Sequence, residues 1–451
     1  MELLILKWLF FLVSIGTVLY WGWKKPAVLI GLLAGAIALE ISILWFPELG
    51  PIGSQIGSLA RLLTVGIIGS ALGRLWKQPA KRQQLKAILS HYLSLALMIY
   101  IIFGASSFSY SVDWSSTIVE VIRLLTLFSL YLSICLLIER KHLLWPFRVV
   151  HWVGVTLVPL ALYEGMTRQF IWQEHLAEGT IARVNATFVD PNIFARYLVL
   201  AIIANLILQY LNTEVRKRLI YIGSLIGLIG GLAITLSRSG ILTLAIVLVL
   251  MILLIPRKKM MLPIGVMGLI GAVILATRPT IWQRLLTLRE GLGALDAQRQ
   301  YLWKAAGAMF SDHPVTGVGL GAFETMFLTQ YAHLKTVIPY VEGATLSHTS
   351  ILTIAAELGI VGLATLAWIW IALIRLLREL RKGEFDQSLN ELKRYIPGVG
   401  YFLWIVAVFI SSQAEARFFA DPIIWISMGM VFCISEDVGR EKHGEPKITA
   451  S

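Results

Sequence analysis

Three arginines and one histidine carry the chemistry this chain could perform on a charged substrate: Arg183, Arg238, Arg299 and His348. A guanidinium presents planar, paired donors that match a phosphate. An imidazole, with an ordinary pKa near ~6.5, can take a proton from a hydroxyl at neutral pH. Arg183 opens the segment RVNATFVDPN, which ends at Asn192 where an apolar run begins. There Asp190 suits a helix N-cap and Pro191 the first helical turn. A helix N-terminus beside Arg183 and Asn192 would offer donors to a phosphate or a sugar. Arg238 lies between Ser237 and Ser239-Gly240 at the junction of two apolar runs, where small neighbours let a ligand approach closely; its plainer use is to snorkel toward headgroups. Arg299 and Trp303 are four apart in an amphipathic segment, 298–311, and share one helix face. His313-Pro314 ends that segment. Gly317, Gly319 and Gly321 then follow at spacing two, a pattern for a tight turn whose N–H groups can approach an anion. His348, flanked by Ser347 and Thr349, sits at the mouth of another apolar run, where a merely interfacial histidine is the alternative.

Other chemistries lack their residues. The glycine turn has neither the lysine of a phosphate loop nor the strand-to-helix setting of a dinucleotide site, so ATP and NAD are not implied. Cys135 and Cys433 both fall in apolar runs, which excludes an outer-loop disulfide framework or cysteine zinc site. No Asp-x-Asp pair or His/Cys cluster appears, so no metal and no cofactor are expected. Glu357, nine residues after His348, lies about 13 Å further along the same helix and is expected to hydrogen-bond another helix. Glu120 and Arg123, three apart, suit a pair on one helix face. Arg61, His91 and His151 are scattered, and would line a polar path only if the fold gathered them.

The elements that must position these groups are membrane spans. The 451 residues are 57% hydrophobic and 15% charged, with a mean hydropathy of +0.75, the balance of a polytopic membrane protein. Runs long enough to cross ~30 Å of hydrocarbon occur near 3–23, 27–46, 55–76, 85–104, 115–138, 147–165, 192–211, 218–236, 240–256, 260–277, 349–374, 395–412 and 420–435. The predicted fold is an all-α polytopic membrane protein with about 12–13 transmembrane helices and one large external loop containing short helices. More than half of the 39 Lys and Arg fall in alternate short loops, at 24–25, 74–86, 140–148, 216–218, 257–259 and 375–394, whereas loops 47–58 and 104–114 hold none. Basic short loops stay cytoplasmic, so the 166–191 and 278–347 loops are expected to face outward. The net charge of +12 is mostly this bias, and no nucleic-acid partner is implied. Glu2, Lys7 and the absence of a small-residue cleavage site before Trp21-Gly22-Trp23 predict an uncleaved first span. The expected organisation is N-terminal spans 1–165, central spans and the RVNATFVDPN loop 166–277, a large external catalytic loop 278–347, C-terminal spans 348–435 and a cytoplasmic tail 436–451.

In this order, Arg183 with Thr187-Phe188 and Pro191-Asn192, Ser237-Arg238-Ser239, Arg299 with Trp303, Pro314 and Gly317-Val318-Gly319, and Ser347-His348 with Glu357-Leu358-Gly359 resemble the O-antigen ligase and O-antigen polymerase superfamily of bacterial membrane glycosyltransferases. The resemblance runs from about residue 180 to 365. It implies about twelve transmembrane helices with one large external loop, and metal-independent transfer of a glycan from an undecaprenyl-diphosphate-linked donor to an acceptor hydroxyl on a glycan or lipid. The setting would be the outer face of the bacterial cytoplasmic (inner) membrane. Arg238 and Arg299 would hold the diphosphate, and His348 would activate the acceptor hydroxyl. Arg183, Asp190, Asn192, Trp303, Gly317 and Gly319 would bind substrate. Two alternatives stay open: a protein O-oligosaccharyltransferase of the same family, and a transporter or flippase for an anionic lipid-linked sugar. A transporter should show inverted repeats and helices broken at midplane, and neither is visible in the sequence.

Overall fold

Apolar runs of this length cannot leave backbone N–H and C=O groups unpaired in hydrocarbon, so they close into helices. The computed structural model describes residues 2–47, 57–172, 176–177, 181–256, 261–277, 297–334, 347–382, 389–415 and 418–442. Part of the predicted outer loop, 278–296 and 335–346, and the end of the tail lie outside the described residues. The helices are α1 (Glu2–Lys24), α2 (Pro26–Ala36), α3 (Leu59–Lys77), α4 (Pro79–Ser90), α5 (Tyr92–Ser106), α6 (Trp114–Leu137), α7 (Trp145–Thr167), α8 (Pro191–Leu211), α9 (Val215–Ile234), α10 (Arg238–Leu254), α11 (Met261–Thr277), α12 (Ala297–Asp312), α13 (Phe323–Thr329), α14 (Ser350–Lys382), α15 (Leu389–Ser412) and α16 (Pro422–Lys442). Two-residue strands, Leu176–Ala177 and Ile181–Ala182, pair between α7 and α8.

Among the described residues, nine helices are long and apolar enough to span, and four shorter apolar ones accompany them. The chain is therefore an all-α multi-pass membrane protein. Two predicted spans change. The 27–46 run becomes the 11-residue α2 and a 3-10 helix, Glu40–Trp45, and 11 residues rise only about 16 Å. The 85–104 run splits because His91 leaves the helix, its Nδ1 accepting the Leu93 N–H at 3.2 Å to cap α5. The preceding α4 is a separate, mostly exposed polar helix.

The core sits around α8, whose apolar window is buried throughout and which packs against α7, α9, α10 and α15. Peripheral α1 instead exposes Leu3, Leu4, Ile5, Leu6, Leu9 and Leu12, the lipid-facing stripe expected of an outer helix. The polar segments gather at one end of this bundle. There the Thr187 hydroxyl donates to the Ala38 carbonyl, Tyr110 donates to the Thr316 carbonyl at 2.9 Å, and Thr349 donates to the Gln413 carbonyl at 3.2 Å. The basic turns at 74–86 and 140–148 lie at the other end, where Lys81 donates to the Leu136 carbonyl at 2.7 Å and Tyr401 to that of Leu143 at 2.6 Å.

Above the polar end, α12, the glycine turn and α13 build a small core of their own from Leu302, Ala306, Met309, Phe323 and Met326, closed by Ala356 of α14. Helix α14 is interrupted there. Gly359 has φ 59 and ψ −154, and a Cβ on it would sit 2.4 Å from the Val315 carbonyl oxygen. The interruption leaves backbone groups without helical partners, and the turn supplies them. Val318 and Gly319 N–H donate to the Ala356 and Glu357 carbonyls at 2.9 Å, and the Ile360 N–H donates to the Pro314 carbonyl at 2.9 Å.

Candidate functional site

Asn192, in the first turn of α8, joins two of the arginine segments. Its Oδ1 accepts from the Arg183 guanidinium at 2.8 Å and from the Ser237 hydroxyl at 2.9 Å. Arg183 also donates through Nε to the Thr235 carbonyl at 3.2 Å. Ser237 then caps α10 by accepting the Gly240 N–H at 3.2 Å, and its hydroxyl lies 3.1 Å from that of Ser239. Arg238, half-buried, is the first residue of α10. Asp190 is the N-cap of α8, accepting the Asn192 N–H at 2.6 Å. Its structural reading is thus realised, while Asn192 orients Arg183 with the oxygen expected to meet substrate.

His348 lies one residue ahead of Thr349 and Ser350, at the N-terminus of α14. Ser347, wholly buried, accepts the Thr349 N–H at 3.2 Å and lies 2.8 Å from the Thr353 hydroxyl. The next three residues are fixed to the end of α15: Thr349 to the Gln413 carbonyl, Ser350 to the Ser412 carbonyl at 3.1 Å, and the Ile351 N–H to Gln413 Oε1 at 3.3 Å. The same stretch touches α10, since the Ser411 and Thr243 hydroxyls are 3.3 Å apart. The segments of Arg183, Arg238 and His348 therefore share one scaffold of α8, α10, α14 and α15.

Backbone strain marks the same segments. Among the described residues four non-glycine residues have positive φ, and three are Ala186 at 49°, Leu236 at 54° and His348 at 55°, with Arg168 the fourth. Such conformations cost on the order of 1–3 kcal/mol and cluster at ligand sites. At Ala186 the cause is visible: the wholly buried Glu164 carboxylate accepts the N–H groups of Asn185 and Ala186 at 3.2 and 2.9 Å. No glycine betrays these positions in the sequence.

Arg299 and Trp303 lie on α12, both half-buried, and the Trp303 Nε1 is buried without a hydrogen-bond partner. The glycine turn requires a correction. Gly317, Gly319 and Gly321 have φ of 70, 111 and 78, as the spacing suggested. Yet the Gly317 N–H donates to the His313 carbonyl at 3.0 Å, and those of Val318 and Gly319 go to α14. The Val318 and Gly319 donors dock the loop onto the helix break, and none of the three is offered to an anion. Glu357 meets another helix as expected, at its start: its carbonyl accepts from Gly319, and its carboxyl faces the N–H groups of Gly321 and of Phe323, the first residue of α13. Glu120 and Arg123 form the expected pair along α6. His151 lies 3.3 Å from the Ser224 hydroxyl between α7 and α9, while His91 caps α5.

The loop is tied to α6 as well. Asp113, the N-cap of α6, accepts the Ser116 N–H at 3.0 Å and the Thr325 hydroxyl of α13 at 2.6 Å. These donors, Ser116 first, hold its carboxyl below the ordinary carboxylate range. Tyr331 donates to Asp312 at 2.6 Å, and burial, then that carboxylate, push its hydroxyl up to about 12.

Sequence reading did not single out Arg196, which is buried one turn below Asn192 and paired with Glu415 at 2.8 Å and Asp421 at 3.1 Å. An arginine inside an apolar run was the available signal.

Residues 222–367 match the family model described as O-antigen ligase, a stretch holding Arg238, Arg299, Trp303, the glycine turn and His348. That stretch, about a third of the chain, is similar to the O-antigen ligase family. No curated protein is similar enough to the chain to count as a match. The matched stretch supports an O-antigen ligase- or polymerase-like role in a membrane setting. Arg183, Asp190 and Asn192 lie outside the matched stretch and join the site through Ser237 and Thr235.

Proposed function

We propose that this chain transfers a glycan from an undecaprenyl-diphosphate-linked donor to an acceptor hydroxyl at the outer face of the bacterial cytoplasmic membrane. The observation that carries this is the common scaffold under Arg183, Arg238 and His348, with strained backbone in each of their segments. In this reading His348 takes the proton from the acceptor hydroxyl as its oxygen bonds to the anomeric carbon of the donor sugar. The bond from that carbon to the diphosphate oxygen breaks, and its electron pair leaves with the diphosphate. Arg238 and Arg299 neutralise the charge that develops there. Arg183, held by Asn192, faces the donor phosphates or first sugar, and the Trp303 ring or indole N–H meets a sugar.

Because guanidinium groups do the neutralising, no metal or nucleotide is required. Full-length protein reconstituted with a polyprenyl-diphosphate glycan and acceptor should release polyprenyl diphosphate and label the acceptor in excess EDTA. Activity lost in EDTA and restored by Mg²⁺ would overturn the metal-independent part. Donor moved across the bilayer with its glycosyl bond intact would replace the whole reading with a flippase. The helix break in α14 does not favour that outcome, since the loop's own backbone fills the groups a transporter would offer its substrate.

A further inference from the structure

Arg196 is the buried charge the reaction above leaves unused. Its two terminal nitrogens reach different carboxylates, Nη1 to Glu415 Oε2 at 2.8 Å and Nη2 to Asp421 Oδ2 at 3.1 Å, and all three side chains are less than a tenth exposed. Glu40 and Asp190 face the same guanidinium, the first anchored by accepting the Val189 N–H at 2.9 Å and the second capping α8. The pairing spans 219 residues, from the first turns of α8 to the connection between α15 and α16. Two residues before Glu415 that connection contains Gln413, which with Ser412 receives the bonds of Thr349, Ser350 and Ile351. His348 precedes those three residues directly.

We propose that Arg196 is a positioning residue: by clamping Glu415 and Asp421 it fixes the 412–415 turn, and through Thr349, Ser350 and Ile351 it sets His348 relative to Arg183, held by Asn192 of α8, and to Arg238 of α10. The inference rests on the transfer reading above and adds to it a residue that touches no substrate. The planar fork matters because its two separate nitrogens each reach one acid, whereas an ammonium must reach both from a single nitrogen at a different depth. A buried pair broken on one side leaves an uncompensated charge, so an Arg196→Lys variant keeps the charge while changing the geometry.

The test is a double-mutant cycle in the reconstituted assay, using Arg196→Lys, His348→Ala and the combination. Arg196→Lys is expected to lower kcat on the order of 100-fold, the effect of about 1 Å of misplacement, with donor KM changed less than about threefold. The double variant should fall no lower than His348→Ala alone, because Arg196 acts through His348. Multiplicative losses, or a loss confined to KM, would overturn the positioning role while leaving the transfer reading intact. Full transfer in His348→Ala would overturn His348's role and the positioning role with it, whereas wild type that leaves the glycosyl bond of the donor intact would overturn the transfer reading itself. Should Arg196→Lys fail to fold in detergent, Glu415→Gln, which leaves Asp421 on the guanidinium, takes its place in the same cycle with the same expected non-additivity.

Discussion

At the scale of single residues, charge and planarity predict different losses. Lysine at Arg238 or Arg299 keeps the cation but not the fork, and transfer should weaken by about 1.5–3 kcal/mol, the range for a charged hydrogen bond. His348→Ala should leave donor binding nearly intact and slow transfer by about 10²–10⁴-fold. Steady-state kinetics with donor titration separates the two, and equal KM effects at all three positions would contradict the division of roles. Asp113 supplies a pH-dependent prediction. Its folded pKa lies below the ordinary value, so its contribution is present above the ordinary carboxylate range and is lost as pH falls through the folded value. Acid should therefore loosen the tether to Thr325 and raise hydrogen exchange in 323–329, and Asp113→Asn should flatten that dependence. An unchanged pH response in Asp113→Asn would discard the tether. The arginines and His348 could be singled out as candidates in the sequence because each sits in a short, distinctive setting between apolar runs. Arg196 was not, since its partners lie 219 and 225 residues away, and neither were the positive φ of Leu236 and His348, which depend on tertiary bonds.

At the scale of elements, the glycine turn and the α14 break form one device. The sequence showed both halves separately: three glycines at spacing two, and Glu357-Leu358-Gly359 inside an apolar run. Alternate glycines serve an anion or a neighbouring backbone equally well, and only the contact with α14 decides between them. A continuous run from 349 to 374 likewise reads as one helix, because glycine is common in membrane spans. The consequence is sharp at Gly359. Alanine there would have to hold a positive φ with its Cβ 2.4 Å from the Val315 carbonyl oxygen and 2.5 Å from its carbonyl carbon, backbone atoms on the opposite side of the joint. Gly359→Ala should lose roughly 1–3 kcal/mol or more and free the α12–α13 unit, seen as a lower Tm and faster proteolysis between 299 and 334. Gly307, on an open face of α12 with nothing within 4 Å of a built Cβ, is the control: alanine there should be neutral or slightly stabilising. Equal behaviour of the two variants would mean that the break does not hold the loop.

At the scale of the whole molecule, the arrangement was legible where length and charge decide it, and less so where a run is too short to cross alone. α2 rises about half a bilayer, and the 3-10 helix after it turns Glu40 toward Val189, a contact 149 residues away that no local pattern encodes. The two polar ends nonetheless separate as the basic loops require, with α4 at one and α12 at the other. Cysteine labelling tests which end faces outward. Ser311 on α12 and Ala87 on α4 are both exposed, and wild type reports the background from Cys135 and Cys433, one buried and the other partly so. A membrane-impermeant maleimide should label Ser311→Cys in spheroplasts and Ala87→Cys only after permeabilisation. The reverse pattern would put Arg238, Arg299 and His348 at the cytoplasmic face. Basic loops would then lie outside against the positive-inside rule, and an acceptor exported before transfer would no longer meet the site. Labelling at both positions without permeabilisation would mean leaky spheroplasts, which wild type with an added cytoplasmic cysteine reporter reveals. Ser311→Cys labelled alone places the arginines and His348 beneath an outward-facing α12, where a polyprenyl-diphosphate donor lying in the outer leaflet can present its diphosphate at headgroup depth.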